Sequence, residues 1–435
     1  MRISVIGSGY VGLVSAVGWA SLGHDVTCID IDQEKLEKIG KGIPPIHEEG
    51  LEERLQKALS EGKIKTDPSF SKVPDSDIIL VSVGTPSNAD HSMDDQYIRS
   101  ASRSIGEALK KSEKFNVVAV RSTVLPGTTE RTVGGIIGQH SGKEPGAGFG
   151  LSMIPEFLRE GTAIKDFHNP DRIIIGAQDS RSKEILRELH KPFDCPVVFT
   201  DIATAEMIKY ASNAFLATKI SYANEMAQIC EKIGVDVDEV MAAVGMDKRI
   251  GPHFLNPGAG FGGSCLPKDV KVLGKKAKEL GIEPKILEAA IDANEAHKMH
   301  ILDMINERIG IKGKTIALLG LAFKPNSDDI RESPALSVAR GLLDGGARIR
   351  AYDPHAMEKM KGIFPDVQYA SNVEDCINGC DAAILLEAWP QFRIAAREYK
   401  EMLGDNPLFD ARRIFSGDEA KEANLKYYCI GRGKP

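Results

Sequence analysis

No apolar run in the 435 residues approaches the roughly 18 positions that a membrane-spanning helix needs, so no membrane partner is expected. Basic residues form no block and do not interleave with aromatic ones, and the formal net charge is −7. The electrostatic footprint of a nucleic-acid binder is therefore missing. No two cysteines stand in a CxxC pair. The seven (Cys28, Cys195, Cys230, Cys265, Cys376, Cys380, Cys429) are odd in number and scattered, which argues against a disulfide framework or a zinc site; no metal is expected. The opening MRISVIGSGYVG enters a buried-strand pattern without the charged, apolar and small-residue regions of a signal peptide. A reducing cytoplasm is the expected setting. What remains, 42% hydrophobic and 27% charged positions, is ordinary globular composition with enough length for two or three domains.

Short apolar runs (Ile3 to Ile6, Val26 to Ile29, Ile78 to Val83, Val117 to Val120) alternate with helical-period stretches through the first 200 residues. That alternation is the mark of repeated βα units around a parallel sheet. From Thr204 to Ile233 the pattern is one long helix uninterrupted by Pro or Gly, of a length suited to connecting two lobes. A loop rich in Gly and Pro follows, Gly251 to Gly263, then more helix to about Ile309, and a new strand begins near Lys312. The last segment repeats the plan of the first. RISVIG, GLVSAVGWASLGH and VTCIDID have counterparts in TIALLG, SPALSVARGLLDGGA and IRAYDP, and DSDIILVSVGTP has one in CDAAILLEAWP. The expected fold is α/β: two Rossmann-like, doubly wound parallel-sheet domains joined by a long central helix and a helical middle domain. The expected bounds are 1–200, 201–310 and 311–435. A single large α/β sheet is the competing architecture, and it needs the long helix to lie within its own crossovers.

Gly7, Gly9 and Gly12 form G-x-G-x-x-G directly after the first strand and at the opening of a helix. The first glycine permits a tight turn, the second lets backbone approach a pyrophosphate, and the third lets helix pack on strand. A lone glycine pattern is weak, but Asp30 ends the next strand at about the spacing expected of a ribose-binding acid. Its carboxylate favours NAD over a 2′-phosphorylated cofactor, although Lys35 stands nearby. The bland alternative is a glycine turn that serves packing.

The most informative stretch is GFGGSCLPKD, residues 260–269. Its glycines allow close approach of backbone to a ligand, and Pro267 begins a helix. Cys265 is thereby expected at a helix N-terminus with Lys268 near, a setting that favours the thiolate. Cys28, in a strand, and Cys230, on the long helix, read as packing. Lys209 and Asn213 are four apart and share a face, so both a convergent pair and a solvated face fit. Glu156 and Glu160 in PEFLREG pose the same choice between general base and charged surface. Lys324 and Arg331 follow the first strand of the last domain, where a βα loop meets a phosphate, although loop cations are more often merely solvated.

GSGYVG, VGTP, RSTVLPGTT, PEFLREGTAI, KYASNAF, GFGGSCLPKD and AFKPNSDDIRESP, in this order over nearly the whole chain, resemble the UDP-glucose/GDP-mannose dehydrogenase family. DKRIGPHFLNPGAGFGGSC and FDARRIFSG are similar to its UDP-glucose branch, with GDP-mannose or a UDP-N-acetylhexosamine as the alternative substrate. The resemblance implies NAD-dependent oxidation of a sugar C6 alcohol to the carboxylate, with two NAD per turnover. It implies Cys265 as nucleophile, with Lys209, Asn213 and Asp269 holding an oxyanion and a water that Thr123 helps to position. Glu156 would act in acid/base steps. The implied NAD site comprises Gly7, Gly9, Tyr10, Val11, Gly12, Asp30, Lys35, Val83, Gly84, Thr85, Ser122, Thr123, Glu160, Lys268 and Arg331. The implied sugar-nucleotide site comprises Glu156, Phe157, Leu158, Arg159, Lys209, Asn213, Phe254, Asn256, Gly258, Gly262, Phe323, Lys324 and Arg412. Arg249 would reach the substrate of a neighbouring subunit, so at least a homodimer is implied. Two other classes compete: a simple two-electron dehydrogenase, which has no use for Cys265, and a non-catalytic nucleotide sensor.

Overall fold

The computed structural model describes residues 1–433. The chain divides into two compact units, Met1–Ser212 and Asn213–Pro435. The first is built on an eight-stranded sheet: β1 (Arg2–Ile6), β2 (Asp25–Ile29), β3 (Ile64–Asp67), β4 (Ile78–Val81), β5 (Val117–Val120), β6 (Gly150–Met153), β7 (Ile173–Ala177) and β8 (Val197–Thr200). The order is β3-β2-β1-β4-β5-β6-β7-β8. Pairing is parallel throughout, except that β7 runs antiparallel to β6, a reversal not apparent from the alternation of runs. All residues of β4 and β5 are buried, as expected of strands covered by helices on both faces.

The second unit carries a six-stranded, all-parallel sheet: β9 (Thr315–Leu319), β10 (Arg348–Tyr352), β11 (Gln368–Tyr369), β12 (Ala382–Leu385), β13 (Leu408–Asp410) and β14 (Tyr427–Cys429). Its order, β11-β10-β9-β12-β13-β14, repeats the β3-β2-β1-β4-β5 plan. Two sheets, not one, are therefore present, with helices Val237–Gly245, Leu266–Glu279 and Lys285–Ile309 preceding the second. The long helix spans Ile202–Ile233, two residues longer at its start than its periodicity suggests, because Asp201 accepts from the Thr204 amide and hydroxyl. Its buried face is unusually polar: Glu206, Lys209, Asn213, Ser221 and Asn224 are all under 7% exposed.

The sequence repeat hides a chemical difference between the two sheets. Asp30, after β2, accepts from the Ser8 amide at 2.6 Å and the Lys35 ammonium at 3.3 Å, next to the turn that opens helix Tyr10–Ser21. Its counterpart Asp353, after β10, is fully buried. One Asp353 oxygen takes the amides of Leu321 and Ala322 and the Trp389 indole, and the other takes the amides of His355 and Ala356. That carboxylate is consumed in fastening the turn after β9, and the following helix begins only at Pro334. Asp353→Ala leaves buried N–H groups without an acceptor, so equilibrium urea unfolding should show a loss above about 3 kcal/mol. An unchanged transition contradicts this role.

Candidate active site

In the first unit, Gly7 adopts φ +90°, and a Cβ there would lie 2.8 Å from the Ser82 carbonyl oxygen. A Cβ on Gly12 would lie 1.8 Å from the Gly7 oxygen, so helix and turn are in direct backbone contact. A Cβ on Gly9, by contrast, meets nothing within 4 Å. The middle glycine borders open space at a helix N-terminus that carries no acidic residue in its first turn. That space, with Asp30 beside it, fits a dinucleotide pyrophosphate and ribose. Val11 follows in the same first turn. The loops after β4 and β5 are tied together: Ser122 Oγ donates to the Val83 oxygen at 2.7 Å and Thr85 Oγ1 to the Thr123 oxygen at 2.7 Å. A Cβ on Gly84 meets nothing within 4 Å.

The segment after β6 is held to this turn by a residue that no sequence motif marks. The Tyr10 hydroxyl donates to the buried Glu48 carboxylate, which also takes the Gly161 amide at 2.7 Å. Burial, with Glu48 beside it, pushes the Tyr10 phenol up. Glu160 is half-buried in this segment. Glu156 accepts from the Lys209 ammonium at 3.0 Å and the Leu158 amide at 2.7 Å, and both charged side chains are about 95% buried, at 5% and 6% exposure. Phe157 lies under Lys209 and the Arg172 guanidinium. Arg159 is exposed and spans to Asp166 at 2.6 Å. Lys209 is thus no solvated surface residue.

In the second unit, Cys265 caps helix Leu266–Glu279 and is exposed, with the Ser264 hydroxyl 3.6 Å from its sulfur. The other six cysteines are buried or half-buried, and burial pushes every one of their thiols up, Cys28 and Cys376 to about 12 and Cys429 to about 11. Asp269, one turn on and 1% exposed, takes the Asn213 amide at 2.6 Å and the Lys268 ammonium at 2.6 Å. The Lys268 charge, expected to act on the sulfur, is engaged by this neighbouring carboxylate.

Loop Gly258–Gly263 has its polar groups met by three side chains outside the expected set. Asn224 takes the Gly258 amide at 2.9 Å, and Asn294 brackets Phe261, accepting its amide and donating to its oxygen. His297 Nε2 lies 2.7 Å from the Gly258 oxygen, and its Nδ1 lies 2.8 Å from Gln228 Nε2. The visible signal is polar residues on the inward stripe of a helix, where apolar ones are the rule. Phe323 packs on Gly263 and carries Lys324 over its ring. Arg331 grips Asp329 in fork geometry, while Arg412 pairs with buried Glu387 and donates to the Leu386 oxygen at 2.8 Å. Phe254, at φ +62°, and Asn256 are exposed. Arg249 is 89% exposed and pairs with Asp247. Among the described residues, no group of three or more His, Cys, Asp or Glu is placed to hold a metal.

Burial pushes the His297 imidazole down from 6.5 to about 4. The unfolded chain then takes up a proton, between pH 6.5 and 4, that the folded form refuses. Stability from this residue is complete above pH 6.5 and lost as pH falls, by up to about 3 kcal/mol. His297→Gln retains a donor for Gly258 without titrating. Its stability deficit, measured by chemical denaturation, should shrink as pH is lowered from 7 to 4.5. A deficit independent of pH contradicts the assignment.

Three successive family models match this chain: the NAD-binding domain of the UDP-glucose/GDP-mannose dehydrogenase family over 1–194, its central domain over 203–296 and its UDP-binding domain over 317–417. UDP-glucose 6-dehydrogenase YwqF of Bacillus subtilis is 44% identical, over 99% of this chain and 98% of that protein. UDP-glucose 6-dehydrogenase AglM of Haloferax volcanii is 43% identical over 96% and 98%. A UDP-glucose dehydrogenase structure from Pyrobaculum islandicum superimposes with a TM-score of 0.92 at 40% identity, over 99% and 98% of the two chains. A UDP-D-ManNAc dehydrogenase from Pyrococcus horikoshii does so at 0.87 and 29%, over 99% of each. By sequence and by fold the chain belongs to the UDP-glucose/GDP-mannose dehydrogenase family.

Proposed function

We propose that this protein oxidises the C6 alcohol of UDP-glucose to the carboxylate, giving UDP-glucuronate, through a covalent intermediate on Cys265. The observation that carries the reading is the contrast between Cys265, exposed at a helix N-terminus behind a glycine loop, and six cysteines whose thiols burial keeps protonated. UDP-glucose is preferred as substrate because the three relatives above that are named for it share 40–44% identity, against 29% for the N-acetylmannosamine enzyme. In this reading residues 1–200 bind NAD, 201–310 carry the cysteine loop, and 311–435 bind the UDP moiety.

NAD, when bound, supplies the acceptor for the two electrons of each oxidation, so two are consumed per substrate. The chain's own groups do the rest. A base, Glu156 or a water placed by Thr123, takes the C6 hydroxyl proton as the alcohol becomes an aldehyde. The Cys265 thiolate adds to the aldehyde carbon, and the carbonyl oxygen takes a proton to give a thiohemiacetal. This centre is again alcohol-like. Loss of the C6 hydrogen with two electrons, as hydride, and of the hydroxyl proton leaves a thioester. Water then adds to its carbonyl carbon while Lys209 and Asn213 stabilise the oxyanion and Glu156 takes the proton; the C–S bond breaks, returning the thiolate and the carboxylic acid. Asp269 positions Asn213. A homodimer is part of the reading. Phe215, Tyr222 and Ile229, seven apart on the long helix, are 66%, 47% and 43% exposed, and Arg249 is available to a neighbouring subunit. Seven scattered cysteines with no CxxC pair fit a cytoplasmic location.

UDP-glucose should yield two NADH per molecule, with GDP-mannose and UDP-N-acetylmannosamine oxidised far more slowly. Cys265→Ala should make no acid while Cys230→Ala keeps the parent rate. Acid formation by Cys265→Ala, or one NADH per substrate, overturns the covalent route. Lys209→Ala should lower kcat by about 10²- to 10³-fold, as loss of an oxyanion donor does elsewhere, with KM nearly unchanged. A pure rise in KM would instead assign Lys209 to binding.

A further inference from the structure

Resting on the reading above, Lys209 has two duties that conflict. Its ammonium lies 3.0 Å from Glu156, with both side chains about 95% buried, at 5% and 6% exposure, yet it must also turn to the oxyanion during hydrolysis. Removing one partner of a buried ion pair leaves an uncompensated charge, which is strongly unfavourable. A second cation acting on Glu156 resolves the conflict, and the first unit contains one.

Arg121 directly follows β5, its amide donating to the Val81 oxygen at 2.8 Å. Its side chain turns inward; the residue is 8% exposed, and its Nε finds no hydrogen-bond partner among the described residues. Arg121 and Glu156 line the same cavity of about 90 Å³, among largely apolar neighbours that include Trp19, Ile154 and Phe157. Asp171 lines this cavity as well, and the remaining charged groups around it are engaged elsewhere. Arg159 is held by Asp166, and Arg172 stacks on Phe157 and reaches Ser212. His190 meets the Leu186 oxygen through Nδ1, and burial pushes it down to about 4, so it carries no charge near neutrality. Burial disfavours the charged guanidinium, and the field of Glu156 opposes that effect. A guanidinium suits the position because it stays protonated where a lysine can shed its proton.

We propose that Arg121 is a positioning residue for Glu156, a standing counter-charge that lets Lys209 leave the carboxylate for the reacting oxygen. Without it, Lys209 stays locked on Glu156. The step that suffers is hydrolysis of the thioester, where Lys209 acts as donor, and substrate binding is spared.

The test compares Arg121→Met, Arg121→Lys and Arg121→Gln in the full-length enzyme. The Met variant should lose tenfold or more in kcat with KM within about twofold, and intact-mass measurement of enzyme quenched during turnover should show the acyl adduct accumulating on Cys265. The Lys variant, which keeps the charge, should recover most of the rate. In a double-mutant cycle with Glu156→Gln, Arg121→Met should have little further effect, because its partner charge is gone; a merely structural role would add its full loss again. Should the Met variant fail to fold, the Lys and Gln variants decide, the first near parent activity and the second impaired without a change in KM. Parent-like kinetics in Arg121→Met or Arg121→Gln, or losses that simply add in the cycle, overturn the inference. Adduct absent from Lys209→Ala and Arg121→Met alike, with acid still made, points instead to failure of the covalent reading itself.

Discussion

Three glycines without room for a side chain decide where the cysteine stands. A Cβ at Gly262 would lie 2.4 Å from the Glu332 oxygen, one at Gly263 2.7 Å from the Phe323 ring, and one at Gly260 2.9 Å from Asn294 Oδ1. The backbone therefore touches its neighbours directly, and its amides and carbonyls are met by Asn224, Asn294 and His297 from two long helices. Packing and fixed hydrogen bonds of this loop deliver Cys265 to the exposed start of its helix. Placing a reactive group from rigid elements in this way costs no reorganisation at the moment of reaction.

Three buried carboxylates share a second feature, whereas Glu48 and Asp353 are held by neutral donors alone. Glu156 has Lys209 and the Leu158 amide, Asp269 has Lys268 and the Asn213 amide, and Glu387 has Arg412 and the Ala388 amide. Each sits between one cation and one neutral donor, which keeps a charge tolerable where water is scarce. Where the cation is also wanted by a reacting oxygen, as proposed for Lys209, a spare positive charge becomes valuable. Arg121 meets that need.

Much of the fold is legible in the amino-acid sequence alone. The glycine spacing, Asp30, the long uninterrupted helix and the repeated strand-helix-strand plan each follow from local rules, and the order of motifs names the family. The reversal of β7 is not legible, since a buried apolar run looks the same in either direction. Asp353 reads like Asp30 in sequence, yet it is sealed into the turn after β9, because burial depends on neighbours 31 and 32 residues away, Ala322 and Leu321, and on Trp389. Glu48, Asn294 and His297 escape notice for a related reason. They act by holding backbone that is distant in sequence, and a lone polar residue, in a loop like Glu48 or on a helix like Asn294 and His297, carries no mark of what it holds. Spacing alone leaves Lys209 and Asn213 balanced between site and surface; their buried partners, Glu156 and Asp269, exclude a solvated face.

The central claim is that one sulfur carries the sugar between oxidation and hydrolysis. Peptide mapping of the Lys209→Ala enzyme, quenched while turning over UDP-glucose with NAD, tests it most directly. A hexuronyl-nucleotide adduct is expected on the peptide containing Cys265 and on no other cysteine. An unmodified Cys265 at every time point while UDP-glucuronate still accumulates would contradict it.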